Sequence, residues 1–258
     1  MAVRTSVDGD VATILLERPD VRNAMDLELL EGIGAGLEQA RTSAKAVVLA
    51  GAGGTFCAGA DLVYVRRAFT GDAEEVLRPL VRTLHDLIAF VGELPLPIVV
   101  ALEGHAVGAG MGLALAADLR IAGRGASLIP GYFAIGASPD GGVSYFLTRA
   151  LGGARATSAI LRNRVLRADE LLALGLVEEV VDDGRVIEAA QELAASLAGV
   201  PPLALLRMRR LVDSATVQGL AAQLDDEERL VAELWPARDF REGVSAFLER
   251  RRPAFTGR

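Results

Sequence analysis

The sequence predicts an α/β fold with a helical C-terminal third, and three features carry that expectation. Through the N-terminal third, β-branched runs alternate with amphipathic stretches. A glycine-rich turn at 104–110 follows one buried run and opens a helix. From Gly141 onward almost every stretch reads as helix with Leu and Ala faces.

Taken in order, Val11–Leu16 reads as a strand, and Arg18-Pro19 forces an extended or turning exit from it. Asp26 is placed to cap a helix reaching about Arg41, with Leu27, Leu30, Ile33 and Leu37 on one face. Residues 46–50 form a second strand and 51–54 a turn. A long amphipathic helix over 73–92 carries Leu77, Leu80, Leu84, Leu87, Ile88 and Val91, and Pro95 and Pro97 stop it. Ile98–Leu102 is a buried strand, a helix over 111–117 follows the glycine turn, and 119–122 is extended again. Later helices are expected to start near Ser144, Ala154, Ala168, Asp183, Pro201, Ala215 and Arg238, with Pro253 ending the last.

Composition narrows the function classes. A chain of 258 residues, 51% apolar, can bury a full core as one domain or as a domain with a helical appendage. Cys57 is the only cysteine, which excludes an intrachain disulfide, and two histidines exclude a His-rich metal site. The net charge of −7 argues against a nucleic-acid partner. No run approaches the roughly 18 apolar residues of a membrane span, and residues 1–10 are too polar and too poor in basic residues for a signal peptide. A soluble, cytoplasmic protein with no membrane partner is expected. Arg250-Arg251-Arg252 is a local basic patch, most simply a solvated helix end.

The strand, glycine turn and helix across 98–117 aim unpaired backbone N–H groups from a helix N-terminus, which suits an oxyanion hole or a phosphate cradle. Gly108-Ala109-Gly110 lacks the Lys-Ser/Thr of a phosphate loop, and the glycines do not fit the dinucleotide spacing. Close packing of helix on strand is the other explanation for them. A second donor loop, Ala58-Gly59-Ala60-Asp61, follows the strand at 46–50. Two amides from separate loops are what a thioester enolate requires, because both must be aimed at the oxygen that becomes negative. Asp140, in Ser138-Pro139-Asp140-Gly141-Gly142, is either an acid/base or the N-cap of a helix starting near Gly142. His85 reads as a core or interface residue, and His105 as structural. Tyr64, Arg66 and Arg67 read as solvated helix surface.

These stretches together resemble the crotonase superfamily, the enoyl-CoA hydratases and isomerases. The resemblance runs through Glu17-Arg18-Pro19 with Asn23-Ala24, Phe56-Cys57-Ala58-Gly59-Ala60-Asp61-Leu62, residues 97–110 and 113–118, and Arg241-Glu242-Gly243-Val244-Ser245-Ala246-Phe247. It implies a spiral of ββα units over 1–200 and a helical trimerisation or cap region over 201–258, assembled as a homotrimer or hexamer. It also implies an acyl-CoA substrate, with no other cofactor and no metal, whose thioester oxygen lies between the Ala60 and Ala109 amides. Arg18, Ala24, Ala58, Gly59, Asp61, Leu62, Gly108 and Phe133 would line the CoA and acyl path, and Phe255 with the basic C-terminal run would reach a CoA on the same or a neighbouring subunit.

The departures matter as much. Hydratases of this family use two glutamates to position and activate water, and here those positions hold Gly112 and Tyr132. Asp140, eight residues after Tyr132, resembles the catalytic acid of the 3-enoyl-CoA to 2-enoyl-CoA isomerases and of the ring-expanding phenylacetyl-CoA-pathway isomerases. An apolar pocket of Leu128, Ile129, Phe133, Ile135 and Phe146 is expected to enclose it and raise its pKa. A one-carboxylate isomerase is therefore the leading expectation, with Tyr132 and His85 as possible helpers. The alternatives are a hydrolytic, dehalogenase-like enzyme with Asp140 as nucleophile and His85 assisting water, and a non-catalytic CoA-binding paralogue.

Overall fold

The computed structural model describes residues 2–70 and 72–257. β1 (Val3–Asp8) and β2 (Val11–Leu16) form an antiparallel hairpin at one sheet edge. The chain then passes through a 3-10 turn, Pro19–Val21, into α1 (Leu27–Ser43), β3 (Ala46–Gly51), α2 (Leu62–Arg66) and α3 (Ala73–Glu93). Next come β4 (Ile98–Leu102), β5 (His105–Val107), α4 (Ala109–Ala116), β6 (Leu119–Gly123) and β7 (Ser127–Ile129). A 3-10 turn at Tyr132–Ile135 precedes α5 (Val143–Leu151), α6 (Gly153–Leu161), β8 (Leu166–Arg167), α7 (Ala168–Ala173) and β9 (Glu179–Val181). The remainder is α8 (Val186–Leu197), α9 (Pro202–Ser214), α10 (Leu220–Ala232) and α11 (Arg238–Glu249).

Six strands make one sheet in the order β1-β2-β3-β4-β6-β9, parallel from β2 onward, and β5-β7-β8 make a second. β4 and β6 each give a strand to the large sheet, and the short strand after each, β5 and β7, joins the small one. That handing of consecutive strands to two sheets is the spiral of ββα units the family resemblance implies. β3 is buried along its whole length because both sheet faces are covered. Its period-2 alternation sends Val47 and Leu49 toward α1 and α3, and Ala46, Val48 and Ala50 toward α8. The small residues on that second face meet Ala190 and Ala194 of α8, so helix and sheet approach closely.

Asp26 caps α1, its Oδ1 accepting the Leu29 amide at 2.9 Å. Other boundaries differ from expectation. β1, β7, β8 and β9 lie where no strand is expected, and β5 occupies part of the glycine turn. β1 is a mostly exposed edge strand, and β8 and β9 are two and three residues long, too short to show a period. The glycine-turn helix begins at Ala109, two residues before the expected 111. α8 begins after Asp183 because that carboxylate accepts the Gly125 amide at 3.0 Å instead of capping a helix. Ala215 is the C-cap of α9, not a helix start. The last helix stops at Glu249, before Pro253, through a left-handed Arg250 with φ 55°.

Arg209 of α9 fastens the C-terminal helices to the sheet. Its guanidinium is bidentate on Asp118, at 2.7 Å to each oxygen, and also donates to the Leu94 and Leu96 carbonyls. The tail folds back on α11, where buried Asp239 accepts the Thr256 and Gly257 amides and Glu242 pairs with Arg251. Phe255 packs against Gly243. Arg251 and Phe255, expected to reach CoA, are thus engaged with their own helix. Among the described residues no single helix is long and apolar enough to cross a membrane.

Candidate active site

Two loops meet at the N-terminus of α4. Cys57 N donates to His105 O at 3.1 Å and Val107 N to Cys57 O at 2.9 Å, so the loops are zipped as short strands. Gly59, at φ +86°, lies so close that a β-carbon there would stand 2.6 Å from Val107 O and 3.7 Å from Ala109 N. Gly110 packs as tightly on Cys57, which makes close packing a real role for that glycine.

The amides around the junction are satisfied one by one. Gly59 N donates to Cys57 Sγ at 3.4 Å, Asp61 N to Met25 O at 2.8 Å, and Gly108 N to Ile129 O at 2.9 Å. Among the described residues no protein acceptor takes the Ala60 or Ala109 amide. Two unclaimed N–H groups from neighbouring loops, one opening a helix, can hold an oxygen that gains negative charge.

Arg18 and Asp61, expected along the CoA path, are engaged with each other. The Arg18 guanidinium lies 3.1 Å from Asp61 and 3.0 Å from Asp26, and also donates to the Ala24 carbonyl. Asp61 caps α2, accepting from Val63 N at 2.9 Å and Tyr64 N at 3.2 Å. Burial opposes its ionisation, but the bonds from Tyr64, Arg18 and Val63 outweigh that and hold its carboxyl below the usual range. Buried Asn23 closes the base of the loop, its Nδ2 donating to Ala52 O at 2.9 Å and Thr55 O at 2.7 Å. That role has no sequence signal beyond the Asn-Ala pair. Cys57 is fully buried with Sγ 3.0 Å from Asn23 O, and burial pushes its thiol up to about 12.

Asp140 does not cap the following helix. Gly142, at φ 78°, holds the N-cap position of α5, and Val143 N donates to the main-chain oxygen of Asp140 at 3.1 Å. The carboxylate is left to Tyr132, whose hydroxyl lies 3.0 Å from Asp140 Oδ1 and 3.0 Å from Asp140 O. Among the described residues Oδ2 has no hydrogen-bond partner. Gly141 seats the acid beside the donor loop, since a β-carbon there would lie 3.5 Å from Ala109 Cα and 3.3 Å from Leu84 Cδ2.

The backbone of Gly141 also fills the space beside Gly112. A β-carbon at 112 would lie 2.1 Å from Gly141 O and 2.9 Å from its carbonyl carbon, so no side chain fits there. Tyr132 is buried against Gly108. Burial, and then the Asp140 carboxylate beside it, push the Tyr132 phenol well above its ordinary value, which keeps it a neutral donor.

One expectation fails here. Phe133 and Ile135 are 47% and 56% exposed, turned outward by a 3-10 turn set between left-handed Gly131 and Gly136, so the five apolar residues do not enclose Asp140. His85 is exposed beside the buried stripe of Leu80, Leu84, Leu87 and Val91, rather than in a core. From α3, Leu84 lies against the acid's segment, its Cδ2 3.3 Å from where a Gly141 β-carbon would stand. Of the remaining path residues, Ala24 is buried, Ala58 lies in the first loop and Leu62 is exposed at its rim. His105 Nδ1 lies 2.8 Å from Ser127 Oγ, and Arg67 stacks over Tyr64 at 5.2 Å.

A family model described as Enoyl-CoA hydratase/isomerase matches residues 6–258. The chain is 38% identical to a protein of Rhodobacter capsulatus named "Probable enoyl-CoA hydratase", covering 99% of this chain and 98% of that one. It is 35% identical to the 1,2-epoxyphenylacetyl-CoA isomerase of Escherichia coli, again covering 99% and 98%. The crystal structure of an enoyl-CoA hydratase from Polaromonas sp. JS666 superposes with a TM-score of 0.92 at 31% identity, over 99% of this chain and all of that one.

Gly112→Ala, which adds the smallest possible side chain, must push 140–142 off α4. A loss of about 1–3 kcal/mol is expected in urea denaturation, and wild-type stability would show that the segment yields freely. The depressed Asp61 carboxyl gives a pH test. Its stabilising effect is present above the unfolded value of about 3.9 and is lost as pH falls through the folded value. Asp61→Asn keeps the cap and removes the charge, so its melting-temperature deficit at pH 7 should close as pH falls below the unfolded value and through the lower folded one. Equal deficits at both pH values would refute the charge as the cause.

Proposed function

The chain belongs to the enoyl-CoA hydratase/isomerase family, and on that premise we propose that it is an acyl-CoA isomerase moving a double bond from the 3 to the 2 position. The observation that carries this reading is the Gly141 carbonyl lodged against Gly112, with Tyr132 at the other position. Hydration in this family uses a water held by two glutamates. Here one carboxylate, Asp140, is held by Tyr132 next to Gly141, which packs on Ala109, and packed backbone blocks a second at 112.

One carboxylate suffices for a 1,3-proton shift. Asp140 takes a proton from C2, and the electron pair moves toward the thioester oxygen between the Ala60 and Ala109 amides. The same acid then protonates C4, and the charge returns to form the conjugated 2-enoyl thioester. CoA serves as the handle, and the step consumes no other cofactor. The hydratase name of the Rhodobacter capsulatus relative favours hydration, whereas the isomerase name of the Escherichia coli relative is consistent with one-acid chemistry on an aromatic acyl-CoA. Hydrolysis through an Asp140 ester, with His85 assisting water, is the alternative, and an acyl-Asp140 adduct trapped by mass spectrometry would favour it.

Exposed Phe247 and Leu248 on α11, at 83% and 75%, support packing of the C-terminal helices between copies in a homotrimer or hexamer. Sedimentation equilibrium should then report three or six times 27.1 kDa, and a monomer would overturn this.

Asp140→Asn should lower 3-enoyl-CoA isomerisation at least about 100-fold, followed by the absorbance of the conjugated thioester. Full activity in that variant would sink the isomerase reading. Acyl-CoA binding by the wild type without turnover of 3-enoyl, 2-enoyl or aromatic thioesters would point instead to a non-catalytic paralogue.

A further inference from the structure

A single acid that both removes and returns a proton has to keep its place in two charge states. Asp140 is a carboxylate when it attacks the C2 proton and a carboxylic acid when it protonates C4. A hydrogen-bond donor suited only to the anion would lose its acceptor halfway through the reaction. Tyr132 avoids that loss. Its one hydroxyl proton faces two acceptors at the same 3.0 Å, Asp140 Oδ1 and the main-chain oxygen of the same residue.

We infer that Tyr132 is a positioning residue for Asp140, its hydroxyl proton turning from Oδ1 to the Asp140 main-chain oxygen as the carboxylate becomes an acid. The inference rests on the isomerase reading above. In the resting anion the phenol donates to Oδ1 and leaves Oδ2, which has no partner among the described residues, to meet the substrate. When the C2–H bond breaks and Oδ2–H forms, the electron pair passes to the thioester oxygen. Oδ1 is then the carbonyl oxygen of an acid and a poorer acceptor than a peptide oxygen, so the phenol proton rotates to the latter. When Oδ2–H breaks and C4–H forms, the enolate electrons return, the carboxylate is restored and the phenol swings back. No heavy atom needs to move.

The tyrosine is built to stay still while its proton turns. Its ring is buried against Gly108, its main-chain oxygen accepts the Ala137 amide at 3.0 Å, and the preceding Gly131 amide donates to Asn163 Oδ1 at 2.6 Å. A carboxylate in place of the phenol would repel Asp140 at this distance and offer it no proton.

The test compares Tyr132→Phe with wild type on 3-enoyl-CoA carrying two deuterons at C2. The variant should show kcat about 10- to 100-fold lower with KM within about twofold, because misplacing one reacting group costs that much without weakening binding. The share of deuterium carried from C2 to C4 should also fall by at least about half, as a freely rotating acid exchanges with solvent before reprotonation. That share is counted per product molecule, so partial unfolding of the variant does not affect it. If wild type isomerises and the variant matches it in kcat and label transfer, the positioning role is overturned and the isomerase reading survives. If wild type does not isomerise 3-enoyl-CoA at all, both fall together.

Discussion

A carbonyl oxygen packed where a β-carbon would otherwise stand leaves no latitude at Gly112. Because α4 presents bare backbone at that point, residues 140–142 settle onto it, with Gly141 O filling the place of a side chain. The same approach sets Gly141 over Ala109 and so brings Asp140 beside the donor loop. Placing the acid and excluding a second one are therefore a single packing event. Any side chain at 112 has to displace residues 140–142 and so move Asp140 as well, so substitution at 112 alone does not turn this arrangement into a two-glutamate site.

The donor loops depend on a second constraint, charge held in partial burial. Arg18 bridges Asp26, which caps α1, and Asp61, which caps α2, so one guanidinium couples two helix starts to the loop between them. Desolvation offsets part of the attraction in partly buried ion pairs of this kind, while their directional bonds fix the positions of the groups they join. Here that geometry is the direction of the Ala60 amide. Asn23 does the same from beneath with neutral hydrogen bonds.

Much of this was legible in the residues, and the failures have physical causes. β2 and β4 stand out because β-branched residues in a covered sheet make short continuous apolar runs, and Asp26 is a cap whose acceptor bond is local. The small sheet is invisible because strands of two or three residues show no period, and their pairing is set by the spiral rather than by their own side chains. Asp140 followed by two glycines suits a cap as well as an acid, and only the left-handed Gly142 separates the two. His85 sits among leucines in sequence, yet the helical period turns it off their stripe. The outward set of Phe133 and Ile135 depends on two glycines in the left-handed region, which composition alone does not orient.

Cys57 sits at the hinge of the two donor loops, where a reactive thiol would put a soft nucleophile next to electrophilic enoyl thioesters. Its environment disarms it. With Sγ against the Asn23 carbonyl and burial pushing the thiol up to about 12, the sulfur is kept as the unreactive thiol at pH 7. Conjugated thioesters are Michael acceptors that add to thiolates, so a reactive thiol at this junction would be open to alkylation by any such electrophile. Burial of this sulfur lets the donor loops keep a small, polarisable residue for packing while leaving it inert to such electrophiles.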